Sequence, residues 1–309
     1  MTGANIPAVP ESLPQSKLAT TLRRILEFPV TNLVLGTACV VGSVLLVDAL
    51  LGAFGASRFS RDLTADAGSL LAILAVCVAY AGYVRLVERR PAVELGREGL
   101  AVDLGIGLTL GALLFAATVL VLCLLGACAI ETGEGWGPLR FAVMTSLCTA
   151  VFEELWMRGV LFRVLEKSLG SWLALAISAV AFGLIHAANP GASAQSTVAI
   201  ALEAGVLLAA AFIYSRRLWM PIGLHAAWNF TQGGVFGASV SGGAAHGYFS
   251  ARFSGSELLT GGAFGPEASV AAVVVCLAAA GGLIALARRR GRIVPPFWRR
   301  ARSSASLAA

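Results

Sequence analysis

Long apolar segments dominate this sequence and constrain its fold more than any other feature. Eight such runs follow one another, at about 30–54, 68–87, 104–130, 138–162, 172–190, 196–214, 218–237 and 268–287. Each is close to the roughly 20 residues that a helix needs to cross the hydrocarbon core of a bilayer. Because 57% of the residues are hydrophobic and only 13% are charged, an ordinary soluble domain is excluded. The sequence therefore predicts an all-α fold, a polytopic membrane helical bundle of about eight transmembrane helices.

The basic residues indicate how such a bundle is oriented. Of the 23 lysines and arginines, all but Arg58, Arg61, Arg140 and Arg252 fall in the two tails or in alternate connecting loops. Cytoplasmic segments are enriched in Lys and Arg, so both termini are predicted to be cytoplasmic in a multi-pass protein of the cell membrane. The net charge of +6 then reflects topology and contact with anionic membrane lipids, and no nucleic acid is expected as a partner.

One membrane domain with short tails is the simplest organisation. A cytoplasmic N-terminal tail is predicted at 1–28, a transmembrane domain at 29–287 and a basic cytoplasmic C-terminal tail at 288–309. No internal repeat is evident, which makes a transporter built from inverted repeats a weaker alternative.

Three charges interrupt the fourth apolar run. An ionised side chain at the bilayer centre costs roughly 2.5 to 3.5 kcal/mol, so such groups normally pair, face water or carry function. Glu154 and Arg158 are four residues apart on one helix face and can form an ion pair. Glu153 points about 100° away and has no local partner. We interpret Glu153 as a functional carboxylate; the alternative is that both glutamates only anchor the helix at the membrane interface.

Two of the three histidines also lie within apolar runs. Phe182 precedes His186 by one helical turn, and His225 shares a helix face with Asn229. A single intramembrane histidine is often a hydrogen-bonding residue between helices. Two histidines, an amide and a spare carboxylate on three different spans indicate a polar functional site instead.

This set of side chains suits the hydrolysis of a peptide bond. The reaction needs a base that activates water and donors that hold the oxyanion. Glu153 is the candidate base, and His225 and Asn229 are the candidate oxyanion donors. His186 either orients the same water or joins Glu153 and His225 as the ligands of a zinc ion. The chain lacks the His-Glu-x-x-His motif of soluble zinc proteases, and a metal-free mechanism is an equal alternative.

Together these residues resemble a known family. Three motifs occur in order on successive predicted core helices: Glu153-Glu154-x-x-x-Arg158, Phe182-x-x-x-His186 and His225-x-x-x-Asn229. Over about residues 100–232 the chain is similar to the CPBP family, the CAAX-protease and bacteriocin-processing intramembrane proteases, also called type II CAAX prenyl endopeptidase-like or abortive-infection proteins. The resemblance implies endopeptidase activity in a cavity between membrane helices. It places the six polar motif residues in the catalytic site, with Glu153 and His186 activating water and His225 and Asn229 at the oxyanion.

The same resemblance implies the kind of partner. Peptide or membrane-protein substrates are expected, with or without a lipid, although no residue indicates a groove for a prenyl chain. Family members are described both as zinc metalloproteases and as metal-free, glutamate-based enzymes. The alternative function is a non-proteolytic interaction or immunity protein of the same fold.

Two points depend on the three-dimensional arrangement. On straight helices, Glu153 lies roughly 24 Å from the outer end of its span and His225 about 10 Å from the cytoplasmic end of its own. His186, some 20 Å from the cytoplasmic end of its span, then falls in the outer half of the membrane. These depths agree only if helices tilt or a segment around 167–172 is partly re-entrant. Glu203, the single charge of the sixth span, either faces the catalytic cavity or is a structural carboxyl between helices.

Overall fold

The fold is a bundle of long helices, as the sequence predicts. The structure, a computed structural model, describes residues 26, 28–53, 61–244 and 246–300. Most of the predicted tail at 1–28, and residues 301–309 of the predicted C-terminal tail, therefore lie outside the described residues.

Helices form most of the described chain. The α-helices are α1 (Pro29–Ala53), α2 (Arg61–Leu86), α3 (Leu100–Leu124), α4 (Leu139–Glu154), α5 (Arg163–His186), α6 (Ala194–Ile200), α7 (Val206–Ser215), α8 (Trp219–Asn229), α9 (Glu257–Thr260) and α10 (Val270–Arg289). Three π-helical segments adjoin them: π1 (Leu155–Phe162) joins α4 to α5, π2 (Ala201–Gly205) joins α6 to α7, and π3 (Phe230–Val235) follows α8. The strands are β1 (Cys128–Thr132) and β2 (Phe249–Phe253), and 3-10 turns occupy Val93–Leu95 and Pro266–Ala268.

Within the described residues, six helical stretches are long and apolar enough to cross a membrane. The longest has 48 residues, from Leu139 to His186. It breaks at Gly170, whose φ of 76° and ψ of 170° are not helical, so it consists of two helices. The segment formed by α8 and π3 is mostly buried and is shorter than each of these six stretches, so it is not counted among them. These two features account for the difference from the eight predicted spans, and the polytopic helical bundle is confirmed.

One predicted helix end is wrong. The third apolar run was expected to remain helical to residue 130, but α3 ends at Leu124. Gly126 has a φ of 71°, in the left-handed region that ends helices. The chain then forms β1, which pairs antiparallel with β2 so that Cys128 lies opposite Phe253.

The connections gather at two ends of the bundle. At the first, which we call the basic end, segments 85–103, 163–172, 214–219 and 288–300 contact one another. At the second, the opposite end, segments 125–138, 187–193 and 236–269 meet. There β1 pairs with β2, the Glu134 N–H donates to the Gly247 carbonyl, and Gly191 packs against Ala263.

Buried ion pairs hold the basic end together. The Glu88 carboxylate accepts hydrogen bonds from Arg163 Nη1 at 2.6 Å and Arg90 Nε at 2.7 Å. Burial alone would raise the pKa of Glu88, but the hydrogen bond and charge of Arg163, with the charges of Lys167 and Arg90, lower that pKa to about 2. Glu88 is therefore ionised at neutral pH and ties the connection after α2 to the start of α5.

Glycines allow α3 and α8 to pack at very close range. A Cβ atom at Gly107 or Gly111 of α3 would overlap the carbonyl oxygens of Met220 and Leu224 on α8. Small residues four apart are typical of close helix pairs in membranes. Since α8 carries His225 and Asn229, this packing positions two of the predicted site residues.

Replacing Gly111 by alanine is expected to destabilise the protein and reduce any hydrolytic activity, because the new methyl group pushes α8 away from α3. Overpacking of this kind costs about 1–3 kcal/mol. Gly105→Ala on the same helix is the matched control, since nothing lies within 4 Å of its added Cβ. Thermal unfolding in detergent measures the difference, and equal melting temperatures for the two variants would contradict the packing argument.

Candidate active site

Glu154 and Arg158 form an ion pair inside the bundle. Arg158 Nη1 lies 2.9 Å from Glu154 Oε1, and neither side chain is exposed. His225 Nδ1 lies 3.0 Å from the same oxygen, and Arg158 Nη2 donates to the carbonyl oxygens of Ala204 and Gly205. The cluster connects α4, π1, π2 and α8. The charge pattern in the sequence placed Arg158, like every basic residue except Arg58, Arg61, Arg140 and Arg252, in a tail or an alternate loop. For Arg158 this prediction is wrong, because the side chain is buried and paired with Glu154 inside the bundle.

Glu153 faces both intramembrane histidines. Its Oε2 atom lies 3.9 Å from His186 Nε2 and 4.0 Å from His225 Nε2. This oxygen is buried and has no hydrogen-bond partner within the protein. A carboxylate oxygen and two imidazole nitrogens from three helices thus converge on one small region.

Phe182 packs against the polar side chains of the site. Its carbonyl oxygen lies 2.8 Å from His186 Nδ1, and its ring is tilted against the His186 ring at a centroid distance of 4.6 Å. The same ring meets His225 edge-on, and the Arg158 guanidinium lies 4.7 Å from its centroid. Phe182 therefore restricts the orientation of both imidazoles. Its one-turn spacing from His186 indicated the first contact but not the contact with His225.

A cavity of about 740 Å³ leads from the opposite end of the bundle to these groups. Glu153, His186, His225 and Asn229 line its inner part. The outer lining residues come from the connections of the opposite end and the start of α4: Glu134, Pro138, Phe141, Asn189, Pro190, Ala244 and His246. Glu154 and Arg158 do not line this cavity. Glu154 binds His225 Nδ1, on the other side of the ring from Nε2, and Arg158 binds Glu154.

The arrangement resolves the disagreement in predicted depth. His186 Nε2 lies 3.9 Å from Glu153 Oε2 although straight helices place His186 in the outer half of the membrane and Glu153 nearer the cytoplasmic side. The helix break at Gly170 falls inside the segment 167–172 where an irregularity was expected. The π-helical turns were not expected, and they add residues to the helices next to Glu154 and Asn229.

Each π-helical segment adjoins or contains a polar residue of this region. π1 follows Glu154, π2 contains Glu203, and π3 follows Asn229. Such turns are frequent at functional sites because they re-aim side chains within a helix. In π1, Gly159 leaves room for the Tyr80 ring, whose hydroxyl donates to the Gly159 carbonyl at 3.1 Å. Glycine was the only available sequence signal, and glycine alone does not predict a π turn.

The predicted zinc ligands have suitable chemistry but not a suitable spacing. Two imidazoles and a carboxylate are donors that zinc accepts at about 2.0–2.2 Å, with each histidine held through its other nitrogen. Glu153 Oε2 lies 3.9 and 4.0 Å from the two Nε2 atoms, wider than tetrahedral ligands of one zinc ion. Within the described residues, no group of three His, Cys, Asp or Glu side chains is arranged to hold a metal ion. No reaction step below depends on a metal.

A second cavity of about 30 Å³ adjoins the same histidines and contains two further carboxyl groups. Glu203 and Glu267 line it with His186 and His225, and both glutamates are buried. Glu267 accepts the Ser241 N–H through Oε1, while Oε2 has no partner. Burial raises the pKa of Glu267 to about 8 despite that hydrogen bond. Glu267 is therefore mostly protonated at neutral pH, and no sequence pattern singles it out.

Comparison with known proteins agrees with the motifs. The fold and the site define a polytopic membrane protein with a buried carboxylate and two histidines at the end of a cavity. Residues 135–231 match the family described as type II CAAX prenyl endopeptidase Rce1-like. The match covers less than half of the chain but spans the six polar motif residues, and it confirms the family resemblance. Searches of curated proteins and of solved structures found no match.

Proposed function

We propose that this chain is an intramembrane endopeptidase that hydrolyses a peptide bond with a water molecule activated by Glu153. The observation that carries the proposal is the convergence of Glu153 Oε2, His186 Nε2 and His225 Nε2 at the inner end of the cavity. A volume of about 740 Å³ is in the range of small-molecule and peptide-binding cavities. The match to an endopeptidase family supports the same activity.

His186 is arranged to accept a hydrogen bond from that water. The Phe182 carbonyl can only accept, so His186 Nδ1 carries the hydrogen of the neutral ring and Nε2 keeps its lone pair. Nε2 and Glu153 Oε2 are then two acceptors that one water molecule satisfies with its two hydrogens. The lone pairs of the water oxygen point away from both acceptors, towards a bound peptide carbonyl.

Glu153 moves the proton during the reaction. Attack of the water oxygen forms a C–O bond and shifts the carbonyl π electrons onto the carbonyl oxygen, while one water proton passes to Glu153. Glu153 then delivers this proton to the amide nitrogen as the C–N bond breaks. The products are a new carboxyl group and a new amine, and the Glu153 carboxylate is restored.

His225 and Asn229 are placed to stabilise the oxyanion. Both line the inner cavity, one helical turn apart on α8. The Glu154 carboxylate holds His225 Nδ1–H at 3.0 Å, and Arg158 in turn holds Glu154. When both ring nitrogens carry hydrogen, His225 Nε2 and the Asn229 amide donate to the same oxygen. One such donor contributes about 3 kcal/mol to the stabilisation of the transition state.

The test is cleavage of a quenched peptide library, with farnesylated members, by the purified full chain in detergent and ¹⁸O-labelled water. We expect cleavage, with one ¹⁸O atom in each new carboxyl group by mass spectrometry. Activity that a chelator leaves unchanged supports the glutamate-activated water. Activity that a chelator abolishes and zinc restores supports Glu153, His186 and His225 as metal ligands. A folded protein that cleaves no member contradicts the proposal and favours an interaction or immunity protein.

A further inference from the structure

We propose that the catalytic cavity opens on the extracytoplasmic side of the membrane and admits an extended peptide segment presented from that side. The orientation follows from the fold and the charges alone. Only the cleavage of the peptide rests on the proposed function.

The mouth of the cavity lies at the opposite end of the bundle. Glu134, Asn189 and His246 line its outer part and belong to three different connections of that end. The Glu134 carboxylate and the His246 ring lie 2.5 Å apart, and both side chains are mostly exposed. The 740 Å³ cavity therefore reaches the catalytic side chains from the opposite end.

The basic end offers no comparable route. Met157, Val160 and Phe162 of π1 are buried between the site and this end. Below them, Glu94 is buried, pairs with Arg90 at 2.7 Å and accepts the Leu218 N–H through its backbone oxygen at 3.0 Å. Of the described residues, none from the four segments of the basic end lines the 740 Å³ cavity. A peptide approaching from the basic end would have to displace this packing.

The charges assign the two ends to the two sides of the membrane. The four segments of the basic end contain every described lysine and arginine except Arg61, Arg140, Arg158 and Arg252. Arg158 is compensated by Glu154 in the interior, and Arg252 pairs with Glu131. Because basic residues are retained in the cytoplasm during insertion, the basic end is cytoplasmic. The mouth of the cavity consequently faces the extracytoplasmic side.

The cavity lining suits a peptide backbone. Thr145, Thr149 and Ser241 lie along the wall together with the amides of Asn189 and Asn229. An extended peptide carries one N–H and one C=O per residue, and each needs a partner once it leaves water. Hydroxyl and amide groups distributed along the path provide such partners. These groups favour a peptide backbone as the occupant of this path.

The first experiment is cysteine labelling in intact cells that carry the full chain in the plasma membrane. The six native cysteines are replaced by alanine or serine. His246→Cys reports on the mouth of the cavity, and Glu98→Cys, at a side chain that is 95% exposed, reports on the basic end. We expect a membrane-impermeant maleimide to label His246→Cys in intact cells and Glu98→Cys only after permeabilisation. The reverse pattern would overturn the proposal.

The second experiment tests the side from which the peptide enters. A library peptide cleaved in detergent is added to sealed right-side-out and inside-out vesicles that contain the wild-type chain with its native cysteines. We expect cleavage by right-side-out vesicles only; cleavage confined to inside-out vesicles would overturn the assignment. If the labelling pattern holds but nothing is cleaved even in detergent, the orientation stands and the endopeptidase proposal fails. The wild-type chain also keeps the proposal testable if the cysteine-free background does not fold.

Discussion

Replacing Glu153 by glutamine is expected to lower kcat by about 10³-fold while the protein remains folded. Loss of a general base typically costs about 10²–10⁴-fold, because the uncharged amide no longer accepts the proton of the attacking water. Glu153 Oε2 makes no hydrogen bond within the protein, so the exchange removes no contact through this atom that stabilises the bundle. Steady-state cleavage of a library peptide measures the loss, and thermal unfolding in detergent checks the fold.

Glu257→Gln is the matched control for this change. Glu257 is an exposed carboxylate at the start of α9, outside both cavities at the histidines. The control removes one negative charge on the opposite end and is expected to keep the kcat and melting temperature of the wild type. If Glu153→Gln retained more than about a tenth of the wild-type kcat, Glu153 would not be the general base.

Spacing in the sequence predicted a contact correctly where both residues lie on the same helix. Glu154 and Arg158 share a helix face, and the structure pairs them at 2.9 Å. The same spacing could not show that His225, on another span, binds the same Glu154 oxygen. That contact depends on how α8 packs against its neighbours, including the close approach of α3 at Gly107 and Gly111, which the spacing within one helix does not encode.

Other parts of the site have no sequence signal because they depend on long-range packing. Phe182 was noted as a neighbour of His186, but its contacts with His225 and Arg158 come from three helices meeting. Glu267 belongs to a connecting segment that reads as an ordinary turn. It becomes part of a cavity at the histidines only because the connections of the opposite end fold inwards. Hydropathy likewise placed the helices but did not anticipate the strand pair β1 and β2.

Replacing Arg158 by methionine is expected to give the largest loss of stability among single changes at this site. The substitution leaves the Glu154 carboxylate buried without its guanidinium partner and removes donors to the Ala204 and Gly205 carbonyl oxygens. Breaking a buried ion pair on one side costs about 3–5 kcal/mol. Thermal unfolding in detergent should show a large drop in melting temperature. Arg252→Met, which breaks the exposed pair with Glu131, should cost less than about 1 kcal/mol.

The double variant Glu154→Met/Arg158→Met distinguishes two causes of lost stability, an unpaired buried charge and the loss of packing around the guanidinium. With both charges removed, no ion remains alone in the interior, and buried pairs replaced by apolar residues of similar volume often lose little stability. We therefore expect the double variant to melt at a higher temperature than Arg158→Met. It should still be inactive, because His225 Nδ1 then lacks the carboxylate that holds the ring. A double variant less stable than Arg158→Met would show that the cost lies in packing around the guanidinium, and that Glu154 is tolerated alone.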